Sequence, residues 1–113
     1  MNIQEPVILI TVSKTYEPNL SSEKLYEITR GDWVIGERRN KAKYAFSVYK
    51  GIVQEVYRIF NWFPVTTTIK EQKIHRRWRF EGEVAQEMQH YVGGSVEEYR
   101  KTGAQNPIMY INC

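Results

Sequence analysis

Tyr44-Ala45-Phe46-Ser47-Val48-Tyr49-Lys50-Gly51-Ile52-Val53-Gln54-Glu55-Val56-Tyr57 reads as two strands folded around a tight turn. From Lys43 to Tyr49 the side chains alternate, Tyr44, Phe46 and Val48 on one face and Ala45, Ser47 and Tyr49 on the other. That is the period of two a pleated strand imposes. Lys50-Gly51 predicts a two-residue hairpin turn, because Gly accepts the positive φ such turns require. The returning strand, Ile52 to Phe60, keeps no single phase: Val53, Tyr57 and Ile59 fall on one face, Ile52, Val56 and Phe60 on the other. Mixed phase implies burial on both sides or a bulge near Gln54-Glu55.

Upstream of this hairpin, Val7-Ile8-Leu9-Ile10-Thr11-Val12 is β-branched and apolar on both faces, which suits a central strand, and Pro18-Asn19 breaks it. Ser21 or Ser22 can cap a helix to about Thr29, with Glu23 near its positive end, Leu25 and Ile28 on one buried face and Gly31 just past its end. The chain leaves that helix at Asp32-Trp33. Downstream, Asn61 to Gln72 carries Trp62, Pro64 and a Thr66-Thr67-Thr68 run and reads as a long connection with partial strand character. Arg77 to Val84 alternates again, with Trp78 and Phe80 opposite Arg77, Arg79 and Glu81. Ala85 to Tyr91 reads as a short helix ending at Gly93-Gly94, and Ser95-Val96-Glu97-Glu98 has the spacing of a capping box, which assigns Glu98 to a helix terminus. The block Gly103 to Cys113 holds a turn, two amides and a short apolar strand, Ile108 to Ile111, and is expected to be tied into the core. Five or six strands and two or three short helices in mixed order point to an α+β domain on a curved mixed sheet or pseudo-barrel.

At 113 residues the chain has room for one domain, residues 1–113. Hydrophobic residues are 42% and aromatics 13%, enough apolar surface to offset chain entropy without disulfides or a metal. The single cysteine, Cys113, fits a reducing compartment. The longest apolar run, Val7 to Val12, is too short to span a bilayer and lacks the basic flank of a secretion signal. A cytoplasmic protein without a membrane partner is the expectation.

The formal charge is +3, and its distribution matters more than its size. Four of the seven residues from Glu37 to Lys43 are basic, as are five of the ten from Lys70 to Arg79, while acidic residues gather at Glu81 to Glu87 and Glu97-Glu98. A solvated cationic face is the plainer explanation of such runs. Two histidines fifteen residues apart, His75 and His90, and one cysteine do not make a metal site. Cys113 has no evident activating partner, and no phosphate loop, nucleophile elbow or paired-carboxylate motif occurs. No catalytic residue and no cofactor are therefore assigned.

Binding finds more support, because nucleic acid needs cations for phosphate and flat π surfaces for bases. Arg77-Trp78-Arg79-Phe80 sets both back to back on one strand, and Arg30, Arg38 and Arg39 are candidates to converge on the same side. Trp33, at a helix exit, and Trp78 are the candidate stacking residues. Gln105 and Asn106 precede Pro107 and can present donor and acceptor to a base edge. The competing reading makes the aromatics core residues, leaves the arginines solvated and uses the amides to tie the loop to the sheet.

The runs Leu25 to Trp33, Tyr44 to Tyr57, Arg77 to Gly82 and Gly103 to Cys113 resemble a family of small bacterial and phage proteins, some of them fused to nuclease-type domains. More loosely, the order of strand, helix, Gly-Asp-Trp turn, hairpin and late strand is similar to the PUA-like superfamily of EVE, ASCH, YTH and SRA domains. The resemblance implies a basic cleft and a pocket for a modified or flipped base. It implies a non-enzymatic module that binds nucleic acid or a nucleotide, with a nuclease as a possible partner. The alternative is a phage-type accessory protein that sequesters a small nucleotide signal or inhibits a host protein. DNA, RNA and free nucleotide are not separated by the sequence, nor is an oligomeric state.

Overall fold

The computed structural model describes residues 1–12, 19–69, 72–100 and 106–113, with side chains for all of these except 66–76. Five strands form one mixed sheet: β1 (Val7–Thr11), β2 (Tyr44–Tyr49), β3 (Ile52–Ile69), β4 (Gln72–Val84) and β5 (Ile108–Ile111). Their order is β4-β3-β2-β1-β5. Among the described residues, one α-helix, α1 (Ser22–Arg30), and three 3-10 turns at Glu37–Lys41, Gln86–Tyr91 and Glu97–Tyr99 accompany the sheet. This is a compact α+β fold. Among the described residues the sheet is open, with β4 and β5 at its edges.

The hairpin forms as its sequence dictates. Lys50 and Gly51 take φ of 50° and 79°, the left-handed pair that matches the twist of the flanking strands. Ser47 faces Glu55 and Val48 faces Val53, so Gln54 is the extra residue of a bulge. The bulge re-phases β3, and Val53 and Val56 both reach the same core.

β1 runs parallel to β2 and antiparallel to β5, which places it inside the sheet, with β2 at the centre. Both of its faces are buried. Val7 and Leu9 join Phe46, Val48, Val56, Met88 and Tyr91 in one core, while Ile8 and Ile10 join Ala45, Tyr57, Phe80 and Ile108 in the other. The 3-10 turns at Gln86–Tyr91 and Glu97–Tyr99 lie over the first core through Met88, Tyr91 and Tyr99, and α1 lies over the second through Leu25, Tyr26 and Ile28. Ser21 caps α1 by accepting the Lys24 N–H at 3.1 Å. The helix docks through polar contacts as well as Leu25 and Ile28: Thr29 Oγ1 donates to the Leu25 carbonyl at 2.7 Å and lies 2.9 Å from the Ser47 hydroxyl. The Gly82 N–H donates to the Tyr26 hydroxyl at 2.9 Å.

Two expectations need correction. The stretch from Asn61 is strand as far as Ile69, paired with β4 back to Gln72. Its aromatics, Val65 and threonines favour a pleated surface, and Pro64 is tolerated because β3 pairs with β2 only as far as Arg58. The short helix expected over Ala85 to Tyr91 forms as a 3-10 helix, Gln86–Tyr91. The capping box does not form: Ser95 Oγ accepts from the Glu97 N–H at 3.3 Å, Glu97–Tyr99 is a single 3-10 turn without a side-chain cap, and Glu98 pairs with the Met1 amine. A capping box needs a helix long enough to leave several orphan donors, and one turn does not supply them.

Phe80 is fully buried between Tyr26, Tyr57 and Trp62, whereas Phe60 is 57% exposed at a β3 register shift. Phe80→Ala should cost about 3–5 kcal/mol in urea unfolding and Phe60→Ala no more than about 0.5 kcal/mol. Equal losses would misplace the core. Burial also pushes the Tyr57 phenol well above its usual range, with Glu55 adding to the effect. Above about pH 10 the unfolded chain ionises this tyrosine while the folded chain keeps it neutral, so stability falls as pH rises. Equilibrium unfolding of Tyr57→Phe across that window should show a shallower loss.

Candidate functional site

Two stretches far apart in sequence, Arg30-Gly31-Asp32-Trp33 and Arg77-Trp78-Arg79-Phe80, meet on the outer side of β4. Trp33 and Trp78 form an antiparallel bridge. The Trp33 N–H donates to the Trp78 carbonyl at 2.9 Å, and the Trp78 N–H donates to the Trp33 carbonyl at 2.8 Å. The approach is close at Gly31, where a Cβ would lie 2.9 Å from Arg79 Cβ and 3.0 Å from its Cα. Gly31 is extended, with φ of 172°, so this glycine answers to the closeness of β4 and not to a left-handed cap.

The bridge organises charge. Asp32 Oδ1 accepts from Arg79 Nε at 2.9 Å, and the Asp32 carbonyl accepts from Arg77 Nη1 at 3.2 Å. Arg30 is committed to structure: its Nε donates to the Phe80 carbonyl at 3.0 Å, Glu27 lies 3.4 Å from its Nη1, and its guanidinium covers Tyr26 and Phe63. Trp33 Nε1 donates to the Thr29 carbonyl at 2.8 Å, which fixes the indole against the helix end. The Arg39 guanidinium carbon stands 3.4 Å from the centre of the Trp78 ring. One face of Trp78 is therefore occupied by a cation.

The other expected residues sit beside β5. Arg38 Nε donates to the Cys113 carbonyl, and its guanidinium covers the Tyr110 ring at 4.8 Å. Asn106 Oδ1 accepts from the Ile108 N–H at 2.9 Å and so starts the strand. Both residues line a cavity of about 640 Å³ with Val34, Ile35, Tyr99 and Tyr110. Gln105 lies outside the described residues. The chain end is tied down as expected, since Asn112 Nδ2 donates to the Ile3 and Glu5 carbonyls.

The structure thus brings Arg30, Trp33, Arg39, Arg77, Trp78 and Arg79 to one corner and leaves Arg38 and Asn106 at another. Sequence reasoning passed over Asp32, which holds two arginines in place. Its signal was one acidic residue facing a basic motif. It also passed over Tyr110, whose hydroxyl is buried without a partner. Burial raises that phenol's pKa, with Cys113 adding to the rise and Arg38 and Arg39 opposing it. The Cys113 thiol is pushed up by burial too, so its thiolate is scarce near neutrality. No cluster of metal-ligating side chains occurs among the described residues. No helix among them is long and apolar enough to cross a membrane.

Gly31→Ala should force β4 away from the helix exit and cost about 1–3 kcal/mol. Slowly exchanging Trp33 and Trp78 amides should lose protection in hydrogen exchange. Gly36→Ala, where a Cβ would meet nothing within 4 Å, is the control and should change neither readout. No protein family, curated protein or solved structure matches this chain, so the chemistry of the corner is read from its own residues.

Proposed function

We propose that this chain is a non-enzymatic nucleic-acid-binding module that holds its polymer on the β3–β4 ribbon. The observation carrying the reading is the mismatch in strand length. β3 pairs with β2 only from Ile52 to Arg58 but with β4 from Tyr57 to Ile69, so its distal half is a two-stranded ribbon. Lys73, Arg76, Arg77 and Arg79 all fall on β4 of that ribbon. A two-stranded ribbon has the width to enter a major groove, and each cation set against a phosphate releases a counterion. Arg77 is exposed and gives one donor to Asp32, which leaves the rest of its fork for phosphate. At the base of the ribbon Arg58 pairs with Glu83 and Glu87.

The PUA-like frame and the reading of a modified or flipped base are finer parts of the same proposal. The five-stranded mixed sheet with few helices is their coarse support, with Trp33 as the stacking candidate and Asn106 as the edge reader. A nuclease that uses this module as its targeting subunit is a compatible partner. The cavity beside β5 favours a second reading, a protein that sequesters a small nucleotide, because about 640 Å³ is within the usual range for such ligands.

Fluorescence anisotropy with labelled duplex DNA, single-stranded DNA and RNA over a salt series tests the ribbon. Binding should weaken steeply with salt. Arg77→Ala should weaken it alike for every sequence and lower the log-log salt slope by about one. Full affinity with an unchanged slope in that variant would remove Arg77 from the interface, and no binding by the wild-type protein at low salt would sink the ribbon reading.

A further inference from the structure

Seven arginine side chains are described, and six of them have a hydrogen-bonding partner. Arg30, Arg58, Arg79 and Arg100 face carboxylates, while Arg38 and Arg77 donate to backbone carbonyls. Arg39 is the exception and also the most buried, at 8% exposure. Its Nε is buried with no partner. Its guanidinium is stacked on Trp78, 3.4 Å from the ring centre.

A buried cation without a counter-charge is costly, and removal from water commonly costs several kcal/mol per ion unless an anion or hydrogen bonds compensate. Stacking on an indole recovers only part of that cost, and it leaves the in-plane Nε–H unsatisfied. The stack also fixes the plane of the fork in advance, which lowers the entropy lost when a bidentate anion arrives. Arg77 and Arg79 precede and follow Trp78 on the same strand and add positive potential. Asp32 offsets Arg79 through its ion pair, but no carboxylate faces Arg39 among the described residues.

We propose that Arg39, laid on Trp78, is a preformed receptor for a single phosphate group. Its planar fork would take two oxygens of a tetrahedral phosphate in parallel charge-assisted bonds. The phosphate could belong to a nucleic-acid backbone or to a free mononucleotide. This inference extends the proposed function but does not require the ribbon to hold a polymer.

The test is an NMR titration of the wild-type protein, following the Arg39 Nε–H signal at constant ionic strength. The probes are inorganic phosphate, a nucleoside 5′-monophosphate and a duplex without terminal phosphates, against chloride as the control. The signal is assigned by its loss in Arg39→Lys, and Trp78→Phe keeps an aromatic plate should the lysine variant fail to fold. A saturable shift with phosphate or monophosphate, weakened about tenfold in Trp78→Phe, is the expected result. Saturation by the small phosphates together with no duplex binding in any assay supports the receptor and overturns the ribbon. Saturation by the duplex as well places the receptor on the polymer's backbone. An Nε–H signal that moves no further with any phosphate than with chloride overturns the receptor, and anisotropy with the duplex then judges the ribbon separately.

Discussion

The reciprocal backbone pair between Trp33 and Trp78, 2.9 and 2.8 Å long, is the contact on which the arrangement of this molecule's charged corner depends. Past Arg58, β3 has β4 as its only strand partner among the described residues. The helix exit is what β4 meets on its other side, through the bridge between Trp33 and Trp78. That pairing works only because Gly31 lets the chain lie against Arg79. From it follow the position of Asp32 under Arg77 and Arg79, the wedging of Arg30 against the Phe80 carbonyl, and the plane of Trp78 on which Arg39 rests.

The arginines illustrate how differently one side chain is used within a small fold. Arg30 and Arg58 are fasteners, with every feature of their surroundings supplying an acceptor or a π face. Arg38 anchors the end of the chain to the Tyr110 ring and the Cys113 carbonyl. Arg77 and Arg79 are held by one carboxylate-bearing residue but keep spare donors. Among the described arginines, Arg39 alone combines deep burial with an unpartnered Nε. Exposed pairs of this kind contribute little to stability, so the corner is better understood as a set of cations held in place than as a source of folding energy.

Sequence patterning resolved the elements whose determinants are local. The Lys50-Gly51 turn, the doubly buried β1 and the strand Ile108–Ile111 all rest on residues within a few positions of one another, whereas the Gln54 bulge and the Ser21 cap were each one of two local alternatives. It failed where the decisive partner is distant. Asn61 to Ile69 looks like a connection because Pro64 and the polar threonines dilute its pattern, and only the facing β4 makes it a strand. Ser95 and Glu98 carry a capping spacing, yet Glu98 finds the Met1 amine instead. Among the candidate site residues, their type and motif were legible, but which of them retained free donors was not.

By itself the sequence determined a single α+β unit with a tight central hairpin, two basic runs and no conventional catalytic or metal-binding motif. These follow from periodicity, turn chemistry and composition, which are properties of neighbours along the chain. Tertiary structure alone decided that Trp33 pairs with Trp78, that Asp32 serves two arginines, and that Arg39 is buried on an indole while Arg38 is not. Consecutive arginines are indistinguishable to any local rule, and their fates diverge because the 3-10 turn at Glu37–Lys41 points one toward the β5 edge and the other toward β4.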